Sequence, residues 1–368
     1  MNDRIEKLIM NFKIDEFQKS LIDWYLEEKR DLPWRKNNDP YRVWVSEVML
    51  QQTRVDTVIP YFERFMEKYP TVADLAEADE QDLLKVWEGL GYYSRVRNLH
   101  HAVKEVHEKY GGKVPDTKEA FGSLKGVGPY TTGAVLSIAY GKPIPAVDGN
   151  VMRVMSRIFN MDDDIAKVKT RKLFEGLVEK VISHEDPSSF NQGLMELGAL
   201  ICTPKNPSCL LCPVRDFCMA FHEGTQNDLP VKKKVKKGKT VQYISFILED
   251  EKGNIIVRQR PSEGLLASLW EFPNHEVLSK WKNMVTDFES MLGKELGIEV
   301  DVIEPICVID HVFSHLTWKI HAFRARFRGD FVESEVQKVI PIEKVENYPF
   351  PVPYQKIWKA FKKLRGME

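Results

Sequence analysis

Four of the five cysteines in this 368-residue chain lie between Cys202 and Cys218. Their spacing is Cys202-x6-Cys209-x2-Cys212-x5-Cys218. No other feature limits the fold so strongly, because four thiols in one short loop must converge on something. A disulfide framework spreads its cysteines through a small secreted domain, whereas one dense run points to a metal site. Four thiolates at this spacing can hold Zn²⁺ or a [4Fe-4S] cluster. Zinc knuckles usually bring paired C-x2-C elements, and only Cys209 and Cys212 have that spacing. Lys205 and Arg215 flank the ligands, either as solvated charges or as phosphate contacts.

The length gives room for two or three domains, each with its own core. Lys+Arg total 53 against 54 Asp+Glu, a net charge of -1, so any nucleic-acid-binding surface must be a local patch. No apolar run approaches membrane-spanning length, and Met1-Asn2-Asp3-Arg4 opens no signal peptide, so the expected location is the cytoplasm.

Every periodic segment before the cysteine loop is helical, so residues 1–223 are expected to form an all-α unit. Phe17, Leu21, Trp24 and Tyr25 mark a helix over 15–29 that stops at Leu32-Pro33-Trp34-Arg35. Asp39-Pro40 opens a second helix, from Tyr41 to about Val55. Glu47 stands in its apolar stretch, beside Val43, Trp44, Val48 and Leu50. So apolar a helix leaves little wet face, which favours a desolvated carboxyl with a raised pKa. Residues 57–87 alternate helical patterns with turns at Pro60 and Pro70. In Trp87-Glu88-Gly89-Leu90-Gly91-Tyr92-Tyr93-Ser94-Arg95, two glycines bracket Leu90 on a sharp loop. That loop is either a helix C-cap with an apolar lock or a wedge that fills the gap left by a flipped nucleotide. Val96, Leu99, Val103 and Val106 define a further helix ending at Gly111-Gly112.

Leu124-Lys125-Gly126-Val127-Gly128-Pro129-Tyr130 and the apolar residues after it read as a tight turn between two helices. Gly126 and Gly128 let the backbone turn where a Cβ would clash, and amides opening the next helix form a phosphate seat. Downstream, Asp148 precedes Gly149-Asn150-Val151 like an N-cap. Residues 224–239 are lysine-rich and read as an extended linker. From Thr240 the pattern changes to strands at Val241–Phe246, Ile255–Gln259, Val300–Ile309 and Trp318–Phe327. A helix at about Lys280–Leu296 and another around Trp358 and Phe361 complete an α/β unit over 240–368.

These motifs together resemble one family. Leu124-x-Gly126-Val127-Gly128-x-x-Thr131 with the downstream Val147-Asp148-Gly149 is similar to the helix-hairpin-helix DNA glycosylases of base-excision repair. Trp44-Val45-Ser46-Glu47-Val48-Met49-Leu50-Gln51-Gln52-Thr53 is close to the signature of their adenine-specific branch. The cysteine spacing matches the loop closing the catalytic domain of endonuclease III-like members, which implies one [4Fe-4S] cluster on Cys202, Cys209, Cys212 and Cys218. Gly264 to Pro273 resembles the loop-strand of Nudix domains. Where the metal-binding glutamates should cluster, however, this chain reads Ser290-Met291-Leu292-Gly293-Lys294-Glu295, so the C-terminal unit is expected to recognise rather than hydrolyse.

The resemblance implies a partner: double-stranded DNA carrying adenine opposite 8-oxoguanine or guanine, bound by a monomer. It places Glu47 as the acid that protonates the leaving adenine and Asp148 as the charge beside an oxocarbenium-like sugar, with Tyr130 and Asn150 orienting them. Trp34, Arg35 and Gln192 are expected in the adenine pocket. Gln52, Thr53, Leu90, Tyr92, Gly126, Gly128, Phe313, Ser314 and His315 are expected to contact DNA or 8-oxoguanine. The nearest rival is a bifunctional glycosylase/lyase acting on oxidised pyrimidines, which needs an amine two positions beyond the second hairpin glycine. Tyr130 stands there, with Lys125 and Lys142 off that position. A nucleotide pyrophosphatase lacks its glutamates, and a non-catalytic iron–sulfur DNA-binding protein would leave Glu47 and Asp148 as coincidence.

Overall fold

The computed structural model describes residues 2–233, 238–313 and 316–367. Two compact units emerge: Met1–Glu77 with Asn98–Lys234, and Ala78–Arg97 with Val235–Glu368.

The first unit is helical. Helix Ile14–Glu28 buries Phe17, Leu21 and Tyr25, spaced four apart on one face. Asp39 caps helix Pro40–Leu50 by accepting from the Arg42 amide at 2.8 Å, with Pro40 at the helix start where its missing N–H costs nothing. That helix buries every residue from Tyr41 to Met49 except Arg42, and it stops at Leu50 rather than Val55. The reason is Gln52, whose φ of 59° turns the chain before helix Val55–Lys68 begins. Pro60 lies inside this second helix instead of ending it.

The tight turn joins helices Lys118–Gly122 and Pro129–Tyr140. Gly126 has φ +79°, and a Cβ there would sit 2.6 Å from Asn98. Gly128 differs: its backbone is extended and a Cβ would meet open space, so the turn itself does not demand glycine there. Helix Pro129–Tyr140 is buried from Thr131 to Ile138, packing against Pro40–Leu50 and Pro187–Leu200. A Cβ on Gly133 would lie 2.0 Å from the Pro145 carbonyl oxygen, so the chain leading to Asp148 crosses this helix backbone to backbone. Around helix Gly149–Ile158, the apolar cluster of Met152, Met155, Phe174, Leu177, Phe190 and Leu194 closes the unit's second half.

The second unit is built on a mixed seven-stranded sheet. Its strands are β1 (Lys239–Glu249), β2 (Asn254–Gln259), β3 (Trp270–Glu271), β4 (Asn274–Glu276), β5 (Glu299–Val312), β6 (Leu316–Arg328) and β7 (Gln337–Pro341). The order is β3-β2-β1-β6-β5, with β4 on β1 and β7 on β2. β1 and β6 run parallel, from Lys239↔Leu316 to Glu249↔Arg326. Apolar clusters form around both long helices. Phe246 and Ala325 join Phe288 and Leu292 of helix Met284–Leu296, while Trp318 and Ile320 join Tyr354, Trp358 and Phe361 of helix Val352–Leu364. The four long strands lie within a few residues of the expected positions; β3 and β4 carry too few residues for period-2 patterning to reveal them, and β7 shows no alternation.

The division between units is not a single cut. Residues 78–97 belong with the sheet: the Trp270 indole donates to Gln81 Oε1 at 2.8 Å, Gln81 Nε2 donates to the Ser268 carbonyl at 3.2 Å, and the Phe350 amide donates to Glu88 at 2.9 Å. The described part of the basic stretch is tied to the helical unit, with Arg157 Nε donating to the Leu229 carbonyl and the Ile165 amide to the Val231 carbonyl, each at 3.0 Å.

Candidate active site

Glu47 lines a cavity of about 390 Å³ in the helical unit, together with Trp34, Tyr130, Asp148, Gln192 and Glu196. That volume lies in the range of small-molecule pockets. The Glu47 side chain is buried, and the Tyr130 hydroxyl, in the first turn of the hairpin's second helix, donates to its Oε2 at 2.6 Å. Burial raises the Glu47 carboxyl to about 7, against the lowering effect of that hydrogen bond; the neighbouring Asp148 pushes it further up and Arg35 pulls it down. A carboxylic acid with this midpoint is protonated in useful amount at neutral pH, which general-acid catalysis requires.

Asp148 is the N-cap of helix Gly149–Ile158, where the Val151 amide donates to its Oδ1 at 2.7 Å and the Asn150 side chain donates to its Oδ2 at 3.1 Å. Burial raises its pKa; the Val151 and Asn150 donors and the Arg153 charge work in the opposite sense. The helix N-terminus also favours the anion. Asn150 is fixed from behind, because Arg153 Nη2 donates to its Oδ1 at 2.9 Å. The same guanidinium reaches the Gly198 carbonyl at 2.7 Å and the Cys202 carbonyl at 2.8 Å, so the cysteine loop is tied to the residue that orients Asp148.

The remaining wall is an ion-pair cluster that sequence reasoning missed. Arg30 donates from Nε and Nη2 to Glu196 at 2.8 Å each, and Arg35 Nη2 donates to Glu196 at 2.9 Å. Burial alone would raise the Glu196 carboxyl, but the two arginines hold it down at about 2. Arg35, expected as an adenine-pocket residue, lies 5.5 Å over the Tyr25 ring and lines the cavity. Trp34 is buried, edge-on to Phe62, and Gln192 donates to Ser188 at 3.2 Å. The missed signal was available, because Glu196 interrupts an apolar helical run as Glu47 does.

The four cysteines of the 202–218 loop form no disulfide and line one small cavity with Arg157, Arg215 and Phe221. Arg157 Nη1 donates to Cys202 Sγ at 3.2 Å. Burial pushes the Cys212 thiol up to about 12 and Cys218 up to about 11, so thiolate at these positions needs a compensating cation. Four sulfurs around one space with a guanidinium beside them fit an iron–sulfur centre.

This architecture has relatives among known proteins. Residues 45–180 match the HhH-GPD superfamily of base excision DNA repair proteins, residues 202–218 the iron-sulfur binding domain of endonuclease III, and residues 244–360 a NUDIX domain. The adenine DNA glycosylase of Homo sapiens is 34% identical, over 84% of this chain and 67% of that protein. That of Buchnera aphidicola subsp. Schizaphis graminum is 32% identical over 94% of this chain and 99% of the relative. The chain belongs to the adenine DNA glycosylase family. It is a DNA glycosylase of base-excision repair acting on adenine, with an iron–sulfur loop and a Nudix-like domain. A solved thermostable thymine-DNA glycosylase shares the fold over 58% of this chain and 99% of its own, with 29% identity and a TM-score of 0.53.

The glycosylase's remaining candidates fall in two places. Thr53 lines the Glu47 cavity, and Gln52 is the exposed left-handed residue at the helix end. Tyr92 and Phe313 line a second cavity of about 370 Å³ in the sheet-bearing unit, together with Leu266 and His311. Tyr92 and Leu266 both have left-handed backbones, with φ of 47° and 58°. Such strain in bulky residues concentrates at functional sites. Leu90 is buried, which leaves Tyr92, 47% exposed, as the side chain the loop presents. Ser314 and His315 lie outside the described residues.

Proposed function

We propose that this glycosylase removes adenine mispaired with 8-oxoguanine or guanine by monofunctional hydrolysis of the N-glycosidic bond. The single observation that carries the reading is the buried Glu47, titrating at about 7, in one cavity with Asp148. An adenine flipped into that cavity is protonated by Glu47 as the C1′–N9 bond breaks, so it leaves as a neutral base. Asp148 faces the positive charge that develops on the sugar; water then adds to C1′ and its proton passes to the Glu47 carboxylate, which restores the acid. Trp34, Arg35 and Gln192 form the adenine pocket. Tyr130 occupies the position where a lyase carries its amine, and its hydroxyl is engaged with Glu47. Lys29 lines the cavity, 5.6 Å over Tyr25, and is the amine to be checked.

The 8-oxoguanine side of the reading rests on the Tyr92–Phe313 cavity, whose apolar and aromatic lining suits a base face. Cys202, Cys209, Cys212 and Cys218 would hold a [4Fe-4S] cluster, which anchors the loop that Arg153 ties to Asn150. The protein is read as a cytoplasmic monomer. The deciding experiment is single-turnover incubation with duplexes carrying A:8-oxoG, A:G and thymine glycol, with and without alkali. Adenine release with strand breaks only after alkali is the expected result. Efficient borohydride trapping of a covalent adduct, lost in Lys29→Ala, would make the enzyme a lyase.

A further inference from the structure

The loop that presents Tyr92 turns through two glycines and ends on a strained residue. Gly89, Gly91 and Tyr92 have φ of 101°, 71° and 47°. Gly89 and Gly91 leave the backbone free to take many shapes, and a left-handed tyrosine persists only where its surroundings hold it. Here the loop's carbonyls are tied from below. Arg95 is a buried residue, and its Nη2 donates to both the Leu90 and Gly91 carbonyls at 3.1 Å. The Trp87 indole donates to the Gly91 carbonyl at 3.1 Å, and the Arg95 amide closes the turn on the Tyr92 carbonyl at 2.9 Å. The guanidinium lies over two rings, 5.3 Å from the centre of Trp87 and 5.6 Å from that of Tyr92. A planar cation with forked donors suits such a place, where an ammonium can supply the charge but not the flat stack.

We propose that Arg95 is a positioning residue that fixes the Gly89–Tyr93 loop in its DNA-ready shape, so that the Tyr92 ring is presented before a duplex arrives. The proposal rests on reading Tyr92 as the group inserted beside the mispair. It makes Arg95 responsible for how fast the duplex is opened, with no part in the bond cleavage at the Glu47 cavity.

The test uses the full-length, iron-loaded protein as wild type, Tyr92→Ala, Arg95→Met, Arg95→Lys and the Tyr92→Ala/Arg95→Met double variant. Three quantities are read: the fluorescence rise of 2-aminopurine placed beside the mispair, single-turnover excision from A:8-oxoG, and excision of adenine opposite an abasic site. Tyr92→Ala should slow unstacking and excision at least tenfold. Arg95→Met should follow it by at least fivefold, Arg95→Lys should fall between, and the double variant should be within twofold of Tyr92→Ala. Excision opposite the abasic site, where no base has to be displaced from its partner, should stay within threefold in both Arg95 variants. A normal fluorescence rise in Arg95→Met, or a double variant losing the product of both single losses, overturns the proposal. If Arg95→Met folds poorly, Arg95→Lys decides alone: equal slowing on both substrates refutes the positioning role. A harmless Tyr92→Ala refutes the insertion reading itself, which is a separate result.

Discussion

Removing one oxygen should move the pH dependence of excision in a direction that structure fixes. Tyr130→Phe deletes the hydroxyl that donates to Glu47 at 2.6 Å. That bond favours the ionised carboxylate, so without it the acid holds its proton to higher pH. A hydrogen bond to a charged group contributes about 1.5–3 kcal/mol, or about one to two pH units. The Glu47 midpoint should rise from about 7 to about 8 or 9. At pH 8 roughly a tenth of the wild type carries the proton, against at least about half of the variant. The assay is single-turnover adenine release from A:8-oxoG across pH 5–9.5 with saturating enzyme. The plateau should fall, since Tyr130 also orients the acid, while the alkaline limb moves up by at least about one unit. Asp148→Asn removes a like charge and should move the limb of its residual activity down. A limb that stays put in Tyr130→Phe, or two variants shifting in the same direction, would refute Glu47 as the titrating acid.

The same carboxyl has a stability signature. Its folded pKa lies above its ordinary 4.5, so the stability it contributes is complete below about 4.5 and lost as pH rises through about 7. Glu47→Gln should therefore lose excision by about 10²–10⁴-fold yet be more stable at pH 8 by about 3 kcal/mol, with no such gain at pH 4; equal unfolding midpoints at pH 8 would contradict the buried charge. Glu196→Ala leaves Arg30 and Arg35 without their shared carboxylate and should cost about 3–5 kcal/mol at neutral pH, a value below about 1 showing the cluster to be solvated. Gly133→Ala forces a methyl into the Pro145 carbonyl and should slow excision at least about tenfold while DNA affinity changes far less; a normal rate would mean the Asp148 segment yields freely. Cys212→Ser should lower the iron content and DNA affinity together, and full iron occupancy in the variant would remove Cys212 from the ligand set.

What the chain disclosed of this design depended on distance along it. Glu47 was legible because its apolar neighbours are adjacent in sequence, and Asp148 because capping is a local act. Glu196 carries the same local signal, but its meaning lies in Arg30 and Arg35, more than 160 positions away, and no periodicity links them. Residues 78–97 look like any other part of the helical half; the hydrogen bonds that Gln81 and Glu88 accept from Trp270 and Phe350 reveal where they fold. The Gly89–Tyr93 loop offered two apolar side chains as equals, and packing separated them by burying Leu90 and leaving Tyr92 exposed. Pro60 and Gln52 show the same limit: a proline was absorbed in a helix, while a glutamine with no turn propensity to advertise it ended one.

The helix Pro129–Tyr140 serves as a ruler. Its first residues follow the hairpin expected to hold a DNA phosphate, its second residue reaches Glu47, and one turn further Gly133 lets the segment carrying Asp148 lie directly on its backbone. The hairpin turn, the partner of Glu47 and the approach of the Asp148 segment are thus graduations on one helix. On the proposed roles, a duplex held one nucleotide out of step would miss both carboxyls at once, and an error in register would silence the enzyme instead of redirecting it to a neighbouring base.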